Sequence, residues 1–183
     1  TGYLDALERI FATAAGDEIS EIEPEELYGA SLALWKFCQK RTPGESKVRV
    51  YNPRTAEHGW EAGHTILEAV NDDMPFLVDS LTTLLTEKGI GIHGLLHPVI
   101  DVKRAKDGTL TGLAEPGAKD ATRESVIQVQ IDEVADQEAL DRLAGDVAAM
   151  FGDVRAAVAG WRPMLGKLSE VTDELRRNGP PDL

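Results

Sequence analysis

The stretch Asn-Asp-Asp-Met-Pro-Phe-Leu-Val-Asp-Ser-Leu, residues 71–81, decides the fold, because a strand, an acidic turn and an amphipathic helix meet in it. Residues 64–70, directly before it, are mostly apolar and β-branched in part, which predicts a strand. After the turn, one helical stripe carries four leucines: Leu77, Leu81, Leu84 and Leu85. Pro75 suits the first helical turn, where its missing N–H removes no hydrogen bond, and Gly89 marks the end of the helix.

Helical patterns flank this unit on both sides. The first is a stripe formed by Tyr3, Leu4, Leu7, Ile10 and Phe11. Residues 23–26 then open a second helix, whose inner face would carry Leu27, Leu34, Trp35 and Cys38. From Asp136 to Leu168, apolar residues recur at steps of three or four, which predicts one long helix that Pro163 kinks or divides.

Further strand signals surround the central stretch. Residues 47–51 alternate as a half-buried strand does, and residues 92–103 read as another strand. That second strand contains Pro98, which cannot donate to a ladder and therefore belongs at a sheet edge or a bulge. A strand with one solvent-facing side is indicated by three apolar residues that alternate with glutamines: Ile127, Val129 and Ile131.

The order of these elements resembles a known module. A strand, an Asp-x-Pro turn, a helix and a Gly-Ile-x-Ile strand are similar to the opening half of the ACT domain, a ferredoxin-like module that often binds amino acids. A wider set of motifs comes in the order found in the amino-terminal region of the large bacterial NAD-specific glutamate dehydrogenases: Tyr51-Asn52-Pro53, Gly59-Trp60, residues 71–81, His97-Pro98-Val99-Ile100 and Glu124-Ser125. The resemblance spans nearly the whole chain.

This resemblance implies an α+β fold, in which an ACT-like (ferredoxin-like) antiparallel sheet carries helices on one face. Two helices precede the sheet and a long helix follows it. In the ferredoxin-like strand order the strand at 92–103 is an edge, and we expect residues 47–51 to take the other edge. An ACT module would place its fourth strand near residues 154–158, whereas the periodicity there favours helix. We divide the chain into a helical segment at 1–45, an ACT-like domain at 46–152, and a helical extension and linker at 153–183.

Composition limits the classes of partner. The 183 residues are 42% apolar, enough for one good core, and their net charge of −13 would repel nucleic acid and anionic membranes. The single cysteine, Cys38, allows no internal disulfide and is expected in a helix core. No apolar run has transmembrane length and no leader is visible, so we expect a cytoplasmic location. The start at Thr1 and the proline-containing end suggest a piece cut from a longer polypeptide.

The acidic turn is the candidate functional site, as an effector site or as an interface, and it comprises Asp72, Asp73, Met74, Pro75 and Phe76. The two adjacent carboxylates could act as a general acid/base pair, but helix capping and turn formation explain them more simply. ACT domains that bind amino acids usually have glycine after the proline, which lets backbone N–H groups approach a ligand carboxylate. This chain has Phe76, whose ring would block that approach or fill the pocket.

No catalytic, cofactor-binding or metal-binding residues are predicted in this chain. The four histidines have no cysteine near enough for a metal pattern, and His93 and His97 would lie roughly 13 Å apart along a strand. Gly89-Ile90-Gly91 precedes a strand rather than a helix, so it cannot direct N–H groups at a pyrophosphate. A small hydrolase that uses Asp73 and a histidine is disfavoured, because no nucleophile is positioned.

The resemblance therefore implies a non-catalytic regulatory or assembly domain of a large NAD-dependent glutamate dehydrogenase. Such an enzyme converts L-glutamate, NAD and water to 2-oxoglutarate, ammonium and NADH, with the chemistry and the NAD site elsewhere in the parent chain. The expected partners are other domains or subunits of the same dehydrogenase, a possible amino-acid effector and further copies in a homo-oligomer. The alternative is a free-standing ACT-type domain that senses an amino acid.

Overall fold

A six-stranded antiparallel sheet forms the centre of the computed structural model, which describes residues 24–178. In chain order its strands are β1 (Lys47–Tyr51), β2 (Thr65–Asp72), β3 (Ile92–Leu96), β4 (Val99–Arg104), β5 (Leu110–Leu113) and β6 (Thr122–Ile131). The helices of this part of the chain are α1 (Pro24–Cys38), α2 (Thr55–His58), α3 (Leu77–Glu87) and α4 (Gln137–Asn178). The first predicted helix, with its stripe at residues 3–11, lies outside the described residues.

The sheet is built around the antiparallel pair β2 and β6, which runs from Thr65 opposite Ile131 to Asp72 opposite Glu124. On one side, β1 pairs with β2 and occupies the edge predicted for residues 47–51. On the other side, β6 pairs with β3 and then with β4, and β5 completes the order β1-β2-β6-β4-β5. The result is the ACT-like α+β arrangement predicted from the sequence.

The two faces of the sheet carry different helices. Side chains alternate along each strand, so Leu67 and Ala69 of β2 face α3 and α4, while Ile66 and Val70 face α1. The core on the first face includes Leu77, Leu81 and Leu85 of α3 and Leu140, Leu143, Val147 and Phe151 of α4. The two helices that follow ACT-like strands thus share one face, and α1 covers part of the opposite face, which the β6 pattern had suggested to be open to solvent.

The single strand predicted at residues 92–103 is wrong in detail, because the structure divides it into β3 and β4. The interruption falls at His97 and Pro98. Pro98 has no N–H to give to a ladder, but its carbonyl oxygen accepts a hydrogen bond from Val126 N at 2.9 Å. The chain therefore stays beside β6 across the break, and β4 is not an edge, because β5 pairs with it on its outer side.

Strand β5 was not predicted. It is joined to β4 by a tight turn, in which Gly108 has φ +83° and its N–H donates to Ala105 O at 2.9 Å. A Cβ on Gly108 would lie 2.2 Å from the Arg41 carbonyl oxygen, so only glycine fits where the segment after α1 meets this hairpin. Asp107-Gly108 is a turn signal in the sequence, but residues 110–113 are too short to give a strand pattern.

The long helix predicted from Asp136 onward is confirmed as α4. Asp136 begins it, since Ala139 N donates to Asp136 Oδ2 at 3.0 Å. The helix includes residues 154–158, so the alternative of a fourth ACT strand there is wrong. Pro163 lies inside the helix and does not end it.

Candidate functional site

Asp72 ends β2 and is held between two arginines. Its Oδ1 accepts a hydrogen bond from Arg41 Nη2 at 2.7 Å, and its Oδ2 accepts one from Arg155 Nη1 at 2.6 Å. Arg155, on α4, also donates to the side-chain oxygen of the buried Asn71. Partial burial opposes ionisation of Asp72, but the hydrogen bonds from Arg155 and Arg41 outweigh it and lower its pKa. This carboxylate therefore ties the segment after α1 to α4 across the end of the sheet.

Behind Asp72 lies a second, fully buried carboxylate, Glu124 of β6. Its Oε1 accepts hydrogen bonds from Arg41 Nε at 3.0 Å and from Arg104 Nε at 2.7 Å, and its Oε2 accepts one from Arg104 Nη2 at 2.8 Å. Only 1% of Glu124 and 2% of Arg41 are exposed. The sequence reasoning assigned no role to these arginines. The sequence offered one signal of this network, the motif residue Glu124. The structure places Glu124 opposite Asp72 in the β2–β6 pair, and two buried or half-buried carboxylates this close need cations nearby.

Asp73 turns away from Asp72. Its backbone N–H donates to Arg123 O at 3.0 Å, and its carboxylate lies 3.4 Å from Arg123 Nε. The two aspartates thus have different arginine partners, an arrangement unlike that of a general acid/base pair. The capping interpretation is also wrong, because α3 begins after Phe76 and receives no side-chain hydrogen bond there.

The rest of the turn departs from the sequence prediction at two residues. Met74 packs against the apolar core, but Pro75 is exposed and precedes α3 instead of lying in its first turn. Phe76 has φ +73° and is 62% exposed. It therefore holds the left-handed conformation that suits glycine, with its ring outside rather than filling a pocket. The turn keeps the backbone shape of a glycine turn while it presents an aromatic ring to solvent.

The Phe76 ring borders a shallow groove of about 410 Å³ between α3 and α4. The groove is lined by Phe76, Asp79, Ser80, Thr83, Leu84, Glu87 and Met150. Its centre is apolar, with Leu84 and Met150 only partly buried, and two exposed carboxylates, Asp79 and Glu87, stand at its rim. A surface of this kind suits an apolar side chain with basic neighbours better than a free amino acid, whose carboxylate would be repelled.

A further buried carboxylate, Glu68 of β2, lies on the α1 side of the sheet. It accepts hydrogen bonds from Arg49 Nε at 2.9 Å, from Gln128 Nε2 at 3.0 Å and from Tyr51 OH at 3.4 Å. Burial raises its pKa, and the Arg49 charge and these hydrogen bonds oppose that shift. The residue was read as part of an apolar strand, because nothing local in the sequence distinguishes a paired buried glutamate.

His93 and His97 have hydrogen-bonding partners, and Cys38 is buried. His93 Nε2 lies 2.7 Å from Asp132 Oδ1, and His97 Nε2 lies 2.7 Å from Ser125 Oγ of β6. Burial raises the pKa of the Cys38 thiol to about 12. Among residues 24–178, no group of three or more histidine, cysteine or acidic side chains is placed to hold a metal ion. No helix in that range is both long and apolar enough to cross a bilayer.

Comparison with known proteins extends this description. A family model described as "Glutamate dehydrogenase, ACT1 domain" matches residues 6–147, which is most of the chain. The chain belongs to this family. The ACT1 match covers β1 to β6 and the first part of α4. It includes the turn at residues 72–76 together with Arg41, which binds Asp72, and Arg123, which binds Asp73.

Named relatives agree with the ACT1 assignment. The chain is 33% identical to an NAD-specific glutamate dehydrogenase of Halomonas elongata over 172 residues, which is 93% of this chain and 11% of that protein. It is 34% identical to one of Pseudomonas aeruginosa over 166 residues, 90% of this chain and 10% of that protein. A Mycobacterium tuberculosis relative is 28% identical over 149 residues. The chain thus spans about a tenth of the length of the relatives it matches.

Proposed function

We propose that this ACT1 domain is a non-catalytic regulatory or assembly domain of a large NAD-dependent glutamate dehydrogenase. The parent enzyme would oxidise L-glutamate with NAD and water to 2-oxoglutarate, ammonium and NADH in the cytoplasm, and would bind its NAD in another part of the chain. The family match and the names of the relatives support the parentage. The division of the chain into segments 1–45, 46–152 and 153–183 stays a prediction, and so does the homo-oligomeric state.

The non-catalytic role rests on one observation, the pairing of the Asp72 carboxylate in the turn with two arginines. Asp72 is held by Arg41 and Arg155, so its carboxylate is not available as a base or as a ligand for an incoming amine. A general base has to reach the proton it removes, and both oxygens of Asp72 already accept short hydrogen bonds from guanidinium groups. Asp73 is exposed but faces Arg123 at 3.4 Å, and the other exposed residues of the turn, Pro75 and Phe76, can contribute apolar contact but no proton transfer.

The same geometry favours a protein contact over amino-acid sensing at this turn. A ligand carboxylate at a glycine turn needs open backbone N–H groups, whereas here Asp73 N–H is used by Arg123 O and the Phe76 ring occupies the outer side. The adjoining groove offers apolar contact and a negative rim. We therefore assign the turn and the groove to contact with another domain or subunit of the parent, through an apolar side chain flanked by basic residues.

Ligand binding by the isolated chain separates this proposal from its rival. We expect no saturable thermal shift with any of the twenty amino acids and no heat of binding with NAD. A ligand present at a hundredfold excess over its dissociation constant would stabilise the fold by about 2.7 kcal/mol, which a melting curve resolves. A saturable shift with one amino acid that disappears in Asp73→Ala would establish the sensing function instead.

The contact role is tested in the parent dehydrogenase. Phe76→Glu places a charge at the apolar groove and should weaken the assembly of the enzyme or its response to effectors, as followed by mass photometry and by glutamate oxidation. Ala156→Glu is the matched control, because Ala156 is an exposed α4 residue outside the groove. If both variants behave as the unmodified enzyme does, the groove is not a contact surface and the proposal is wrong.

A further inference from the structure

The final part of α4, residues 159–178, extends past the packed body of the domain, and we call it the α4 tail. The buried side chains of α4 end at Val154, and Val158 makes the last partly buried apolar contact with the core. Of the side chains described beyond that point, none is buried. At 1.5 Å per residue, the tail is about 30 Å long.

One face of the tail carries a continuous apolar stripe. Its members follow one another at steps of three, four, three and four residues: Trp161, Met164, Leu168, Val171 and Leu175. They are between 42% and 62% exposed. Single exposed apolar residues are ordinary, but a contiguous row of five at this spacing is the a and d pattern of a coiled-coil seam.

We propose that the α4 tail pairs with the α4 tail of a second copy of this chain, antiparallel, as a two-helix seam. This inference rests on the assembly part of the proposed function and makes it specific to one surface. The tail begins from a helix already fixed by its packed first half, so pairing does not require the unfavourable nucleation of a new helix. A two-fold arrangement uses the same stripe on both chains.

The residues beside the stripe select the antiparallel direction. In the heptad, Trp161, Leu168 and Leu175 are a residues, and Met164 and Val171 are d residues. Lys167 and Glu174 each come directly before an a residue and therefore occupy g positions. In an antiparallel pair, g positions face each other, so Lys167 meets the partner's Glu174 and Glu174 meets the partner's Lys167. In a parallel pair Lys167 would face Thr172, and neither charge would find its opposite. Two copies of the α4 tail are therefore complementary in charge at the g positions only when they run antiparallel.

The packing layers and the position of the two-fold axis agree with that direction. In the antiparallel register Leu168 packs against the partner's Val171, and Met164 packs against the partner's Leu175, so each of these layers joins an a residue to a d residue. The axis passes between Ser169 and Glu170, near the middle of the tail. The two domain bodies then lie at opposite ends of the seam.

Sedimentation equilibrium of the 183-residue chain tests the seam at physiological ionic strength, where repulsion between the two acidic bodies is screened over about 8 Å. We expect a concentration-dependent dimer. Leu168→Glu buries two charges at the centre of the seam and should raise the dissociation constant at least about a hundredfold. Ser169→Glu, one residue further on and outside the stripe, is the matched control and should leave it unchanged.

Charge exchange tests the direction. Lys167→Glu places like charges opposite each other at two symmetric sites and should raise the dissociation constant about fivefold or more. Glu174→Lys should have a similar effect, and the double variant should restore the original value. A parallel seam predicts no restoration, because the two positions would not meet.

Each outcome decides the inference. A chain that stays monomeric at high concentration, or a dimer that Leu168→Glu does not dissociate, overturns the proposed seam. A dimer without restoration in the double variant overturns the antiparallel direction. Circular dichroism and thermal melts check that the variants keep the fold, which is expected because the tail lies outside the core. The seam is tested by Leu168→Glu and the groove contact by Phe76→Glu. Failure of the seam would therefore not count against the groove contact in the proposed function.

Discussion

The two faces of the central sheet are stabilised in different ways. The face toward α3 and α4 has an aliphatic core, in which Leu81, Leu85 and Val129 are fully buried among other apolar side chains. The face toward α1 combines a smaller apolar cluster with two buried carboxylates, Glu68 and Glu124. Apolar burial is non-directional and roughly proportional to area, whereas each buried charge needs a particular partner at hydrogen-bonding distance.

This difference determines how each face responds to substitution. Removing part of an apolar side chain leaves a cavity, and the loss grows with the size of that cavity. Removing one member of a buried ion pair leaves a charge without compensation in a medium of low polarity. The charged face should therefore be the more sensitive of the two to single substitutions.

Arg41→Met is expected to have the largest effect. Arg41 is 2% exposed and donates to Glu124, to Asp72 and to the Glu45 carbonyl oxygen. Methionine fills a similar volume but leaves Glu124 with Arg104 alone, so we expect the free energy of unfolding to fall by about 3–5 kcal/mol. Urea denaturation measures it.

An exposed ion pair supplies the control for Arg41. Lys103 Nζ lies 2.6 Å from Asp120 Oδ2, and both side chains are largely in solvent. Lys103→Met removes the same charge and should leave the free energy of unfolding nearly unchanged. Equal losses in the two variants would mean that the buried network contributes no more than a surface pair, and the contrast between the faces would disappear.

Leu81→Ala tests the apolar face. Leu81 is fully buried between α3 and the sheet, so we expect a loss of about 2–5 kcal/mol in the free energy of unfolding. Pro75→Ala, in the exposed turn just before α3, should change it by at most about 1 kcal/mol, mainly through the unfolded chain. Thermal melts of both variants give the comparison. A harmless Leu81→Ala would require α3 to be rotated away from the sheet.

The apolar face was predictable from the sequence and the charged face was not, for the same physical reason. Helical and strand periodicity places Leu77, Leu81 and Leu85 on one side, because apolar burial depends on pattern alone. Ion pairs between residues far apart in the chain, such as Arg41 with Glu124 and Arg155 with Asp72, leave no local pattern. The β2 strand therefore read as apolar, although Glu68 lies inside it.

The candidate site shows the same limit at the level of the backbone. The sequence located the turn, and the departure at Phe76 from the usual glycine was visible in it. The ring was expected to block or fill a pocket, yet the structure places it outside with φ +73°. Side-chain size is readable from the sequence, but the direction of the ring follows from a backbone conformation that this residue type rarely adopts. Pro75 was expected in the first turn of α3, whereas the helix begins at Leu77, after the left-handed Phe76.

The smallest predicted effect is a pH dependence carried by Glu68. Burial raises its pKa above the usual 4.5, so the folded chain keeps this proton to a higher pH than the unfolded chain does. Between 4.5 and the folded pKa, the folded state binds more protons, and the free energy of unfolding falls as the pH rises. Asp72 has the opposite sign, because its pKa is lowered: its contribution is present above its usual 3.8 and is lost as the pH falls through its folded pKa.

Glu68→Gln separates these contributions, because glutamine keeps the shape and cannot titrate. The difference in free energy of unfolding, variant minus unmodified chain, should move in favour of the glutamine variant as the pH rises from about 4 to about 7. Urea midpoints of both proteins at several pH values measure it, and Asp72→Asn supplies a control, since its disadvantage should shrink as the pH falls toward about 3. A difference for Glu68→Gln that stays constant over the whole range would mean that the Arg49 ion pair compensates fully for burial. Glu68 would then contribute no pH dependence to the charged face.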